Sequence, residues 1–186
     1  MILVSSCLLG NKVKYSGGSN DNELLMRYSH YLTAICPEAA GNLPIPRPPA
    51  ELQNGDGRDV LKGTAKVVNK DGKDVTAHFT QGAKNILDIV KKHRVQVAIL
   101  KANSPSCGKD VIYDGSFSGN KIDGEGVTAA LLKQNGVNPS GKQKHFIILI
   151  HHLFSIRNFI VVIKSGRIAN TLTACQTISV YTDYLT

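Results

Sequence analysis

The chain has 186 residues, 42% of them apolar and 19% charged, with a formal net charge of +8 and four cysteines. That length supports one domain with a proper core and leaves little for a second; the composition is that of an ordinary globular protein in water. No membrane span is expected, because the longest apolar stretch, Phe146 to Ile163, is interrupted by His151, His152, Arg157 and Asn158, all costly at mid-bilayer.

Residues Ile2 to Leu9 form a continuous apolar run closed by Gly10, which predicts a strand buried on both faces. No basic segment precedes that run, so no secretion signal is expected and the chain is placed in the cytoplasm. Asn11 to Asn22 reads as a polar, glycine-bearing loop, Glu23 to His30 as a short helix and Tyr31 to Cys36 as a second strand. The following segment has five prolines between Pro37 and Pro49. Fixed φ angles and missing donors predict a stiff extended wall there, neither helix nor central strand. A long ordered loop of this kind is more often functional than filler.

Thr64 to Val68 and Lys73 to Val75 flank Lys70-Asp71-Gly72, a hairpin signal. A helix is predicted over Ala77 to Lys92, with Phe79, Ala83, Ile86, Leu87 and Val90 on one face. Val95 to Leu100 is a buried strand, Gly108 to Asp114 includes another short one, and glycines 115, 119, 124 and 126 punctuate a loop that leads into a helix over Val127 to Gln134. This order predicts an α/β fold: a mainly parallel, Rossmann-like sheet, doubly wound with helices on both faces, and a hairpin excursion. From about Gly141 the character changes. Residues 1–140 are therefore read as the functional domain and 141–186 as an atypical C-terminal extension without an active-site pattern.

Cytoplasmic cysteines are kept reduced, so the four are buried small hydrophobes, or else ligands or nucleophiles. Cys7 lies near the end of the first strand, Cys36 closes the second, and Cys107 follows the strand Val95 to Leu100. In a parallel sheet the carboxyl ends of strands share one edge, where ligands bind, so the three can converge. Cys7 alone would pass for a core residue. Cys36-Pro37-Glu38 and Ser104-Pro105-Ser106-Cys107-Gly108 put their thiols on proline-stiffened turns beside polar groups, a better setting for a ligand or nucleophile. Structural zinc wants four ligands, and neither His30 nor His78, both read as surface residues, supplies the fourth persuasively. A 4Fe–4S cluster on three thiolates would leave one iron open. Spacing alone does not choose between them. The positive charge suits an anionic partner such as a nucleotide or RNA. From Lys142 onward, however, there are five Lys/Arg and one acid, and no dense basic run occurs anywhere. A solvated basic surface is the plainer reading.

Seven blocks, taken together and in order, resemble the thiouracil desulfurase family, long catalogued as domain of unknown function 523. They are Met-Ile-Leu-Val-Ser-Ser-Cys-Leu-Leu-Gly from Met1, Cys36-Pro-Glu38, Leu-Pro-Ile-Pro-Arg-Pro-Pro-Ala-Glu from Leu43, Asp74-Val-Thr76, Ala-Ile-Leu-Lys-Ala-Asn-Ser-Pro-Ser-Cys-Gly from Ala98, Ile-Tyr-Asp-Gly-Ser-Phe-Ser-Gly from Ile112 and Gly-Glu-Gly-Val-Thr-Ala-Ala-Leu-Leu from Gly124. The match runs over about Met1 to Val137. It implies a 4Fe–4S cluster on Cys7, Cys36 and Cys107, and desulfuration of a thiolated uracil, C=S becoming C=O. It implies Glu38 as a functional carboxylate and a serine of the Ser-Pro-Ser-Cys loop, Ser104 ahead of Ser106, as a functional hydroxyl. Arg47, Glu51 and Tyr113 are read as wall or packing groups, and Cys175 is given no role. The substrate expected is a small thiolated pyrimidine, with thiouridine in RNA less favoured. The rival from another class is a cluster or sulfur carrier without turnover of its own. Many relatives carry a further cysteine in the first loop, where this chain has Val13, and the sequence after Gly141 matches nothing in the family pattern.

Overall fold

The computed structural model describes residues 1–140 and, in the last quarter, the backbone of two short strands. In chain order the elements are β1 (Ile2–Ser5), α1 (Glu23–Arg27), β2 (Leu32–Ile35), α2 (Pro37–Ala40), β3 (Ala50–Gln53), α3 (Gly57–Lys62), β4 (Lys66–Asn69), α4 (Thr76–His93), β5 (Val97–Ile99), β6 (Val111–Tyr113), β7 (Lys121–Asp123), α5 (Val127–Gln134) and β8 (Asn138–Ser140). The chain divides into two compact units, Met1–Phe146 and Ile147–Thr186. In the second unit Ile163–Lys164 pairs antiparallel with Arg167–Ile168. Cys175 lies outside the described residues.

Four strands form one sheet in the order β2-β1-β5-β8, every neighbouring pair parallel. Leu3 and Val4, adjacent on the central strand β1, are both fully buried, so both faces of the strand are covered and the unbroken apolar run is explained. The run does not stay extended to Leu9. Its partners end opposite Ser5 and Val4, at Ile35 and Ile99. With nothing left to pair, Ser6–Leu9 coils into a single 3₁₀ turn closed by Gly10 at φ 85°.

Helix α4 extends the predicted helix by one residue at each end. Its buried residues Phe79, Gly82, Ala83, Ile86, Leu87 and Val90 recur at helical spacing along one side. The helix serves two apolar clusters. Ile86, Leu87 and Val90 join Leu3, Ile35, Ala98, Ala129 and Leu132 beneath the sheet. Phe79 and Ala83 join Leu52, Val60, Val67, Val75, Ile112 and Val127.

Several short elements differ from the sequence reading. The hairpin expected across Lys70-Asp71-Gly72 is reduced to one bridge, Val68 to Asp74. Asn69 Oδ1 accepts the N–H groups of Asp71 and Lys73 and so makes the turn itself, while β4 pairs instead with β3. Between those strands lies α3, hidden in sequence by Gly55 and Gly57. It begins because Asp56 caps Arg58 and Asp59 while Asp59 reaches back to the Asp56 N–H. The glycine-rich stretch after β6 folds back as β7. Pro37–Ala40 is one helical turn, not extended wall, since proline is well suited to a first helical position where its missing donor costs nothing.

Candidate active site

The carboxyl ends of β1, β2 and β5 deliver the three cysteines to one place. Cys7 sits in the 3₁₀ turn after β1, Cys36 directly follows β2, and Cys107 lies in the loop after β5. All three are free thiols, and all three line one cavity of about 400 Å³ together with Glu38, Ser104 and Arg47. Among the described residues no group of three His, Cys, Asp or Glu is placed to hold a single metal ion. The thiols therefore stand around a space and do not close on one point, unlike the ligands of tetrahedral zinc at ~2.3 Å from the metal. His30 is exposed, and His78 is half-buried with its Nδ1–H donating to the Gly41 carbonyl at 2.8 Å.

Cys36 and Glu38 are placed by the seating of α2 on α4. A Cβ at Gly41 would overlap the His78 carbonyl, and one at Gly82 the Pro37 carbonyl, so the two backbones touch where no side chain fits. Asn85 Nδ2 adds a bond to the Ala40 carbonyl at 2.7 Å.

Cys107 is placed by the start of α5. Four amide groups there, of Gly126, Val127, Thr128 and Ala129, donate to the carbonyls of Gly108, Pro105, Ser106 and Ser106 in turn. The cysteine loop thus satisfies the donors a helix leaves open at its N-terminus. A Cβ at Gly126 would stand 2.5 Å from the Ser106 carbonyl carbon, which fixes this approach as closely as the glycine pair fixes α2.

The two serines of the loop separate cleanly. Ser106 is fully buried, its hydroxyl 2.8 Å from that of Thr128, and it does not line the cavity. Ser104 does. Its Oγ accepts the N–H groups of Ser106 and Cys107 at 3.2 and 3.1 Å, which leaves its hydrogen free to donate.

Burial pushes the Cys107 thiol up to about 12; a hydrogen bond from Ser5 opposes this, and the charges of Glu38, Cys36 and Cys7 add to it. Burial also raises Cys36, helped by Glu38 and Cys7 and opposed by the Ala39 amide and Arg47. Three thiols and a carboxylate sharing one field repel one another once ionised. A multiply charged cationic core would relieve that repulsion and hold the thiols deprotonated. The donor set and the cavity therefore fit an iron–sulfur cluster.

Arg47 is the residue that sequence reasoning missed. Its Nε and Nη2 donate to Glu38 Oε2 at 2.8 and 2.6 Å. The available signal was chemical: an arginine in a stiff proline run, if buried, needs an acid, and Glu38 is the acid of that segment. Glu51 is a wall group as expected, buried and accepting the Phe117 N–H at 3.0 Å. Tyr113 lines the cavity wall.

Comparison with known proteins gives three findings. The model of the family described as 2-thiouracil desulfurase matches residues 2–143. An uncharacterized protein of Bacillus subtilis (strain 168), YbbK, is 49% identical over 138 residues, covering 73% of this chain and 91% of that protein. A solved structure described as the [4Fe–4S]-dependent thiouracil desulfidase TudS (DUF523Vcz) is similar, with a TM-score of 0.70 and 40% identity over 82% of this chain and 97% of that one. On the extent of these matches and the fold they share, this chain belongs to the 2-thiouracil desulfurase family.

Proposed function

We propose that this chain is a 4Fe–4S-dependent desulfurase of a small thiolated uracil, with the cluster held by Cys7, Cys36 and Cys107. The observation that carries the reading is the meeting of three free thiols, Glu38 and Ser104 on one cavity of about 400 Å³. A family relative described as a [4Fe–4S]-dependent thiouracil desulfidase supports the cofactor and the substrate class. When bound, the cluster would supply an open iron as a soft Lewis acid for the thiocarbonyl sulfur.

The chain's own residues do the rest. Glu38 takes a proton from water, whose oxygen attacks the ring carbon. Ser104 donates a hydrogen bond to a ring acceptor or to that water. The carbon–sulfur bond breaks, the sulfur leaves as hydrosulfide, and C=S plus water becomes C=O plus H₂S without net redox change. A thiolated base within RNA is less favoured, because Cys107 is only 5% exposed. No helix of the described residues is long and apolar enough to cross a membrane.

Anaerobic reconstitution with iron and sulfide, followed by assay on thiouracil and thiouridine, tests the reading. Each of Cys7→Ala, Cys36→Ala and Cys107→Ala is expected to lose or degrade the cluster, and Cys175→Ala to do neither. Glu38→Gln is expected to keep the cluster while turnover falls by on the order of 10²–10⁴-fold, the usual worth of a positioned acid–base group. Normal turnover in Glu38→Gln would remove the base. A cluster-loaded chain that desulfurates no thiolated uracil would leave the carrier in its place.

A further inference from the structure

A carboxylate at the end of a three-torsion side chain has no reason of its own to present one oxygen to a cavity. Here the neighbourhood removes that freedom. Both contacts from Arg47, through Nε and Nη2, fall on Glu38 Oε2. The guanidinium is itself held from two sides, by the Pro44 carbonyl through Nη1 and by the Val13 carbonyl through Nη2, each at 3.1 Å. The backbone N–H of Arg47 donates to the Tyr15 carbonyl at 2.7 Å. The arginine side chain is 6% exposed and that of Glu38 17%. A second cavity, of about 290 Å³ and lined by Leu43, His78 and Phe79 among others, also has Glu38 and Arg47 in its wall. The ion pair is thus a wall common to both cavities, and a carboxylate released from the arginine could swing toward either.

We infer that Arg47 is a positioning residue for the desulfuration: it holds Glu38 by Oε2 so that Oε1 is the oxygen presented to water beside the substrate. This rests on the functional reading above. Lysine cannot substitute, since it is a point charge without the planar fork that grips one oxygen while answering two carbonyls.

The test is a double-mutant cycle on the anaerobically reconstituted protein, with Arg47→Lys, Glu38→Gln and both together. In the Glu38 background, Arg47→Lys is expected to keep iron and sulfide content and the KM for thiouracil within about twofold. Its kcat should fall by about 10–100-fold, the scale of a misplaced catalytic group. In the Glu38→Gln background the same change should alter kcat by less than about twofold, because no base remains to be oriented. Equal losses in both backgrounds would overturn the inference, as would an unchanged kcat or loss of iron in Arg47→Lys. If the lysine variant does not fold, Arg47→Gln, which keeps an amide donor for the carbonyls, enters the same cycle. Should the unaltered loaded chain desulfurate no thiolated uracil, the functional reading falls by itself. The clamp is then judged on melting temperature, where sub-additive losses support it and additive ones overturn it.

Discussion

The cavity walls carrying Cys36 and Cys107 are built differently from the wall carrying Cys7. The first two are docked backbone against backbone, α2 on α4 through Gly41 and Gly82, and the Cys107 loop on α5 through Gly126. The Cys7 wall is tied by hydrogen bonds across a polar loop: Asn20 and Asn22 donate to the Cys7 and Leu8 carbonyls, and Asn11 Nδ2 donates to Ser6 Oγ at 2.8 Å. A Cβ at Gly10 would meet side chains and no backbone: the end of Met26 at 3.5 Å and Asp21 Oδ1 at 3.8 Å. Close backbone contact at Gly41, Gly82 and Gly126 fixes the main chain from which Glu38 and Ser104 extend. The Cys7 turn has no such close backbone contact and rests on hydrogen bonds from its loop, so it is the wall with room to adjust as a bound group seats.

The sharpest way to break this contrast is Gly82→Ala. Alanine gains about 1 kcal/mol over glycine in a helix interior, but here its methyl meets the Pro37 carbonyl. Overpacking of that kind costs about 1–3 kcal/mol and sometimes more. We expect a net loss of up to about 2 kcal/mol in denaturant unfolding of the metal-free chain, and reduced iron content after reconstitution. A stabilised variant would show that α2 is not seated as described. Next in size is Ser106→Ala, which leaves the buried Thr128 hydroxyl unpaired at a cost of about 1–2 kcal/mol. It should lower the melting temperature and leave kcat unchanged; a fall in kcat at normal stability would return Ser106 to the chemistry. Smallest is Asn11→Ala, whose half-buried bond to Ser6 is worth about 0.5–1 kcal/mol. Iron content should not change, and a loss as large as that of Gly82→Ala would erase the difference between the walls.

The parts of the fold that were legible in sequence are those set by local pattern. Helix α5 begins and ends where the glycines and the apolar spacing put it, and the three cysteines reach one edge because parallel strands oblige them to. The misses are non-local or masked by punctuation. Helix α3 starts at the glycine-flanked Asp56, and only the reciprocal caps of Asp56 and Asp59 reveal it. The pairing of β4 with β3 depends on chain sixteen or so residues away and is masked in sequence by a nearer hairpin signal. Glycines 41 and 82 lie far apart in sequence and announce nothing about touching. Arg47 reads as a wall group because its partner lies across the proline run.

The Val13 carbonyl oxygen stands 4.0 Å from Cys36 Sγ and accepts Nη2 of Arg47, so residue 13 contributes to the site through its main chain. Any amino acid supplies that same oxygen. An exchange of the side chain at residue 13, which also lines the cavity, therefore reshapes the wall while the atom that the neighbouring thiol and guanidinium address stays where it was.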